Sequence, residues 1–187
     1  LSLRVARAVD NQNSNEDERS FARISTAISK YWITKRAPYL VFEALECHGG
    51  PGYIDESIMP RLSREAPLNS IWEGSGNVMC LDVLRALHRD KNALPALFRE
   101  LASAKGSNKN FDESFSHLKE TLQDPIDLEI EARLLTEKMA CLIQASIFIK
   151  SGEEEKISAF CNSRLGPRWS GAFGTLPTDT SFEYIMG

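Results

Sequence analysis

The chain has 187 residues, with 22 Lys+Arg against 26 Asp+Glu, a formal charge of −4 and a pI near 5.5. With 42% hydrophobic residues, 11 Gly and 8 Pro it has ample apolar material for a core, which excludes a disordered tail or a collagen-like repeat. No run of about eighteen apolar residues occurs, so no segment reads as membrane-spanning.

The charge is unevenly spread. Residues 1–99 hold 13 basic and 12 acidic side chains, whereas residues 100–187 hold 9 and 14. A duplex-binding module displays a basic patch, and the second half offers none by composition. Cys47, Cys80, Cys141 and Cys161 form no CxxC pair and accompany no histidine clamp, so no metal is expected. They read as reduced, mostly buried thiols in a reducing, cytoplasmic compartment. His48, His88 and His117 lie far apart in sequence and read as packed or solvated side chains.

The chain opens LSLRVARAVD, on Leu1 rather than Met, without the continuous apolar stretch of a secretion signal. This opening fits part of something longer, and it predicts a short helix ending near Val9. The polar stretch 11–18 separates that helix from a long one over 19–47. There Phe21, Ile24, Ala27, Ile28, Tyr31, Trp32 and Ile33 recur at three- and four-residue steps, a broad stripe to be buried. Pro38 removes a backbone donor and crowds the carbonyl of Thr34, which predicts a kink. The pattern resumes through Tyr39, Val41, Phe42 and Leu45 and stops at Gly49-Gly50.

The section GGPGYIDESIMP reads as loop, followed by a short helix from about Pro60. A longer helix is predicted from about Ser75 to Arg89, with Val78, Leu81, Val83, Leu84 and Leu87 apolar. Further helices are expected near 93–104, 110–123, 126–150 and 153–164, punctuated by Gly106, Asp124-Pro125 and Gly152. No β-alternation appears, so the predicted class is all-α, a helical bundle. The residues from Gly166 read as a loose arm or docked tail.

Two stretches are unusual for plain helical packing. Glu46-Cys47-His48-Gly49-Gly50-Pro51-Gly52-Tyr53 puts three glycines within four positions at a helix end, which allows backbone to approach a ligand closely. A helix stop with a tight turn explains it equally. Ile71-Trp72-Glu73-Gly74-Ser75-Gly76-Asn77-Val78 sets a carboxylate and small residues at the mouth of a helix, where free amides favour anions. Beside Ile71 and Trp72 the Glu73 carboxylate is expected to be desolvated toward general-base chemistry. The plainer alternative is capping, with Ser75 or Asn77 satisfying the free amides. Arg61 and Arg64 read as ion-pair partners of Glu65 and Asp55.

Taken together, these stretches resemble the C-terminal helical domain of the acyl-CoA dehydrogenase flavoproteins. That family carries Gln-x-x-Gly-Gly-x-Gly-aromatic, then Arg-acidic, then Tyr-Glu-Gly-Thr with a polar residue two positions on. Here the positions read Glu46 through Tyr53, Arg64-Glu65, and Trp72-Glu73-Gly74-Ser75 with Asn77. The stretch Trp-Glu-Gly-Ser-Gly-Asn and the following Leu81 to Arg85 most resemble the branch associated with the adaptive response to DNA alkylation. The signature covers about residues 38–87.

The resemblance implies that Glu73 is the base taking the α-proton of an acyl-CoA thioester while hydride leaves for the flavin of FAD. It implies that Gly74, Ser75 and Asn77 contact FAD, that Glu46, Gly49 and Gly50 approach the FAD of a neighbouring subunit, and that Trp72 lines the acyl pocket. A homo-oligomer follows, a tetramer in the full-length protein. Glu46 in place of Gln puts a negative charge near an anionic pyrophosphate, and Trp72 and Ser75 in place of Tyr and Thr bear on substrate choice. The implied organisation is a bundle over 1–90, incomplete at its N-terminus, and a helical extension with a tail over 91–187. Such a part is expected to be inactive alone, because the family's N-terminal helical domain and β-domain cover flavin and substrate. Two other readings remain open: an adaptive-response flavoprotein that binds and protects DNA with little turnover, and a helical oligomerisation domain without ligand.

Overall fold

The structure, a computed structural model, describes residues 1–123, 128–167 and 169–186. The break expected at Asp124-Pro125 and the helix start expected at 126 lie outside them. The longest helix is α2, Glu16–Cys47, about 48 Å at 1.5 Å per residue. Its start is fixed locally: the Asn15 side chain accepts from the backbone N–H of Glu18 at 3.2 Å, and Glu16, Asp17 and Glu18 complement the helix dipole. It runs through Pro38 as one element.

Before it lies α1, Ser2–Asn11, two residues longer than predicted. After it come α3 (Gly50–Tyr53), α4 (Met59–Glu65) and a 3-10 turn over Ala66–Ser70. The section read as loop therefore contains a helical turn, because Pro51 at its start presets φ and Gly49 supplies the reversal. The remaining helices are α5 (Gly76–Arg89), α6 (Ala93–Ala102), α7 (Lys109–Gln123), α8 (Leu128–Ser151), α9 (Glu154–Arg164) and α10 (Phe182–Met186). No strand occurs among the described residues, so the fold is an all-α bundle.

Helix α2 is the axis of this bundle: α1, α3, α4, α5, α6 and α8 all pack on it. Its Phe21, Ile24 and Ile28 are buried against Val83 of α5, Leu97 of α6 and Met139 and Leu142 of α8. One core cluster thus draws side chains from both sides of residue 90. The predicted stripe holds for Phe21 through Trp32, but Ile33 is on the edge and Tyr39 and Phe42 are more than half exposed. No element among the described residues covers them. On α5 the inward face is Cys80, Val83 and Ala86 rather than Val78 or Leu81, since α2 and α8 flank the helix on that side.

A polar network joins four helices near one end. Arg4 of α1 bonds both Glu18 of α2 and Glu100 of α6, and Glu100 also accepts from Lys150 of α8 at 2.7 Å. Burial would raise the Glu100 carboxyl, but hydrogen bonds and charge from Arg4 and Lys150 hold it below its ordinary value. Cys80, Cys141 and Cys161 are buried and Cys47 is exposed, all as free thiols. Burial pushes Cys141 up to about 12. The expected pairs form on the surface: Arg61–Glu65 at 2.8 Å and Arg64–Asp55 at 3.1 Å. After α9, Trp169 and Gly171 are docked: the Trp169 indole donates to Glu137 of α8, and Arg36 of α2 donates to the carbonyl of Gly171, both at 2.7 Å.

Candidate functional site

The 3-10 turn ends at Ser70, and residues 71–75 cross from it to the mouth of α5. In the middle stands Glu73 with φ 55°, the single non-glycine residue in the left-handed region among the described residues. That conformation costs a residue with a Cβ on the order of 1–2 kcal/mol, so something must hold it. The holder is Lys30 of α2. Its ammonium donates to the carbonyl of Trp72 at 2.9 Å and to the carbonyl of Gly74, clasping the peptide on either side of Glu73. Sequence reasoning missed Lys30. The signal was its place between buried Ser29 and Tyr31, a charge set inside the apolar stripe.

Glu73 is among the residues lining a cleft of about 550 Å³ between α1, α2 and α5. Val9, Ala27 and Met79 supply apolar lining, and Arg23, Lys30 and Asp82 supply charged lining. Arg23 and Asp82 form a bidentate pair at 2.9 and 3.0 Å that ties α2 to α5. Glu73 itself is exposed, and so are Ile71 and Trp72. The expected desolvation by these neighbours is therefore not supplied by this chain, because both side chains turn outward.

At the mouth of α5 the expected capping is absent. Ser75 is the N-cap residue but its side chain makes no cap hydrogen bond, and the Asn77 oxygen instead accepts from Arg133 Nε of α8 at 2.6 Å. The first-turn amides therefore have no side-chain cap within the helix. A Cβ added at Gly76 would stand 2.7 Å from Lys35 Cε and 3.6 Å from Arg133 Nη2, so two cations lie against this turn. Uncapped amides, a helix dipole and two flanking cations fit the anionic portion of a dinucleotide such as FAD. Gly74, Ser75 and Asn77 are the residues of that turn.

The glycine bend is elsewhere. Glu46, Gly49 and Gly50 are exposed at the far end of α2, about 24 Å along the helix from Lys30. Gly49 needs glycine for its φ of 64°, and neither Gly49 nor Gly50 has an atom within 4 Å of a built Cβ. Gly52 is the packed one, where a Cβ would lie 2.3 Å from the carbonyl oxygen of Leu45. The structure thus brings together Trp72, Glu73, Gly74, Ser75 and Asn77, and leaves Glu46, Gly49 and Gly50 apart from them within one chain.

Residues 1–88 match the family described as acyl-CoA dehydrogenase, C-terminal domain. The Escherichia coli protein AidB is 38% identical over 90% of this chain, and acyl-CoA dehydrogenase family member 11 of Caenorhabditis elegans is 34% identical over 60% of it. The chain spans only 30% and 18% of the length of these two relatives. Among solved structures, the apo form of Bd2924 aligns over 79% of this chain and 29% of its own, with 29% identity and a TM-score of 0.67. The Caenorhabditis elegans protein ACDH-11, solved with C11-CoA, aligns over 87% of this chain and 33% of its own at 23% identity and a TM-score of 0.70, which shows a shared fold. Residues 1–88 are a C-terminal domain of the acyl-CoA dehydrogenase family.

Proposed function

We propose that the protein carrying this chain oxidises an acyl-CoA thioester between its α- and β-carbons, with Glu73 as the general base. The observation that carries this reading is the clasp: Lys30 holds the one non-glycine left-handed residue among those described, a carboxylate, beside an uncapped helix mouth. Bound FAD supplies the hydride acceptor for such a reaction. Gly74, Ser75 and Asn77 would hold its anionic portion through the open amides of α5, with Lys35 and Arg133 adding positive charge. Glu73 takes the α-proton on its carboxylate, a transfer that positioned side chains accelerate by about 10²–10⁴-fold. Trp72 borders the acyl chain.

Glu73 is exposed here, and a base acts best where water is excluded. The chain alone is therefore inactive, and turnover belongs to the full-length protein. Exposed apolar residues support a homo-oligomer, a tetramer in the family's manner: Tyr39, Phe42, Tyr53, Ile58 and Trp72 are all more than half exposed. In that assembly Glu46, Gly49 and Gly50 serve the FAD of a neighbouring subunit, in keeping with their distance from the Lys30 clasp. A cytoplasmic location accords with three buried free thiols. Duplex DNA is disfavoured as a ligand, since residues 100–187 carry 9 basic against 14 acidic side chains.

The test is Glu73→Gln in the full-length, FAD-loaded protein, assayed with a series of saturated acyl-CoA thioesters and an electron-accepting dye. Turnover is expected to fall at least about 100-fold with flavin absorbance retained. A rate within about threefold of the parent refutes the role of Glu73.

A further inference from the structure

A second cavity, of about 510 Å³, opens between the C-terminal half of α2, α8, α9 and the residues that follow α9. Its walls are apolar and largely aromatic: Trp32, Leu40, Phe148, Phe160, Phe173 and Leu176. Arg36, Lys156 and Arg164 also line it, and among the described residues no carboxylate does. Lys156 is paired with Glu153, but the two arginines have no ion pair among the described residues. Arg36 lies 4.1 Å over the ring of Phe173 and 5.6 Å over Trp32, and spends one of its five N–H donors on Gly171. Arg164 lies 4.4 Å over the ring of Trp169, which Arg36 also approaches at 5.4 Å. Arg164 donates no hydrogen bond to any described residue. Burial, and after it the charge of Arg36, pull the Arg164 guanidinium below its ordinary range.

Partly buried charges are normally paired, and two cations converging on one indole ring repel each other. Among the described residues Glu137 accepts from the Nε1–H of that indole but forms no ion pair with either arginine, and both arginines line a cavity of ligand size with apolar walls. We propose that this cavity binds an apolar-tailed carboxylate, its tail among the rings of Trp32, Phe148 and Phe160 and its headgroup bridging Arg36 and Arg164. Planar guanidinium forks suit a carboxylate, and cation–ring stacking already orients them. The site shares no residue with the cleft at Glu73, so it does not depend on the proposed dehydrogenase chemistry.

The probe is sodium decanoate, titrated below its micellar concentration into the full-length protein. Binding is followed by calorimetry and by the fluorescence of Trp32 and Trp169. Saturable binding is expected, at least tenfold weaker for 1-decanol, which has no charge, and undetectable for acetate, which has no tail. Arg164→Gln should weaken decanoate at least tenfold. Ala159→Trp, which fills the cavity and leaves both arginines, should abolish binding. Glu73→Gln should leave it unchanged. No saturable binding, equal affinity for decanol, decanoate binding that survives Ala159→Trp, or loss of binding in Glu73→Gln would each overturn the proposal.

Discussion

Replacing Lys30 by Met tests how the loop bearing Glu73 is held. The ammonium bonds the carbonyls of Trp72 and Gly74, and hydrogen bonds to a charged group contribute about 1.5–3 kcal/mol each. Lys30 is half-buried, so solvent screening brings the pair to roughly 2–3 kcal/mol together. The left-handed backbone of Glu73 costs about 1–2 kcal/mol, which the clasp offsets. Met matches the length and apolar stem of Lys but donates nothing. Losing about 2 kcal/mol lowers the ratio of poised to released loop by about 30-fold; from a net balance of about 1 kcal/mol in favour of the poised loop, its population and turnover fall about fivefold. The assay is steady-state oxidation of a saturated acyl-CoA by the full-length protein, with amide hydrogen exchange over residues 71–76 measured alongside. Flavin absorbance should persist while those amides exchange faster. If Lys30→Met stays within threefold of the parent while Glu73→Gln is disabling, the clasp does not position the base.

Two further changes probe the frame. Gly52→Ala places a Cβ 2.3 Å from the Leu45 carbonyl oxygen and 2.9 Å from His48 Cβ, contacts that only backbone movement relieves. It should cost about 2–3 kcal/mol and lower Tm by about 4–12 °C, whereas Gly50→Ala, which meets nothing within 4 Å, should leave Tm nearly unchanged. The Glu100 carboxyl is held below its ordinary 4.5 by Arg4 and Lys150 despite burial, so its folded value lies under its unfolded one. Its contribution is complete above about pH 4.5 and fades as pH falls through the lower folded value. Amide protection factors in α1 and α6, corrected for the intrinsic pH dependence of exchange, should fall over that window in the parent, and Glu100→Gln should flatten the dependence.

Much of this protein was legible along the chain. Periodicity from Phe21 to Trp32 identified the buried face of α2, because a helix that packs on six others must carry a wide apolar stripe. Glycine and capping signals bounded the helices within a few residues, since those signals act over one turn. The two unusual stretches and their spacing pointed to the family, because backbone that must meet a ligand tolerates few residue types. Other features were written in no local pattern. Whether Ile71 and Trp72 cover Glu73 depends on which way they turn, and they turn outward. That Ser75 does not cap α5, and that Asn77 bonds Arg133, depends on a helix 56 residues away in sequence. Lys30 became a clasp only when folding set α2 beside the Trp72–Gly74 turn, 42 to 44 residues on. Local sequence determines which segments coil and which face each one hides, through short-range sterics and periodicity. Which charge meets which carbonyl is decided by long-range packing, and so only the tertiary structure could show it.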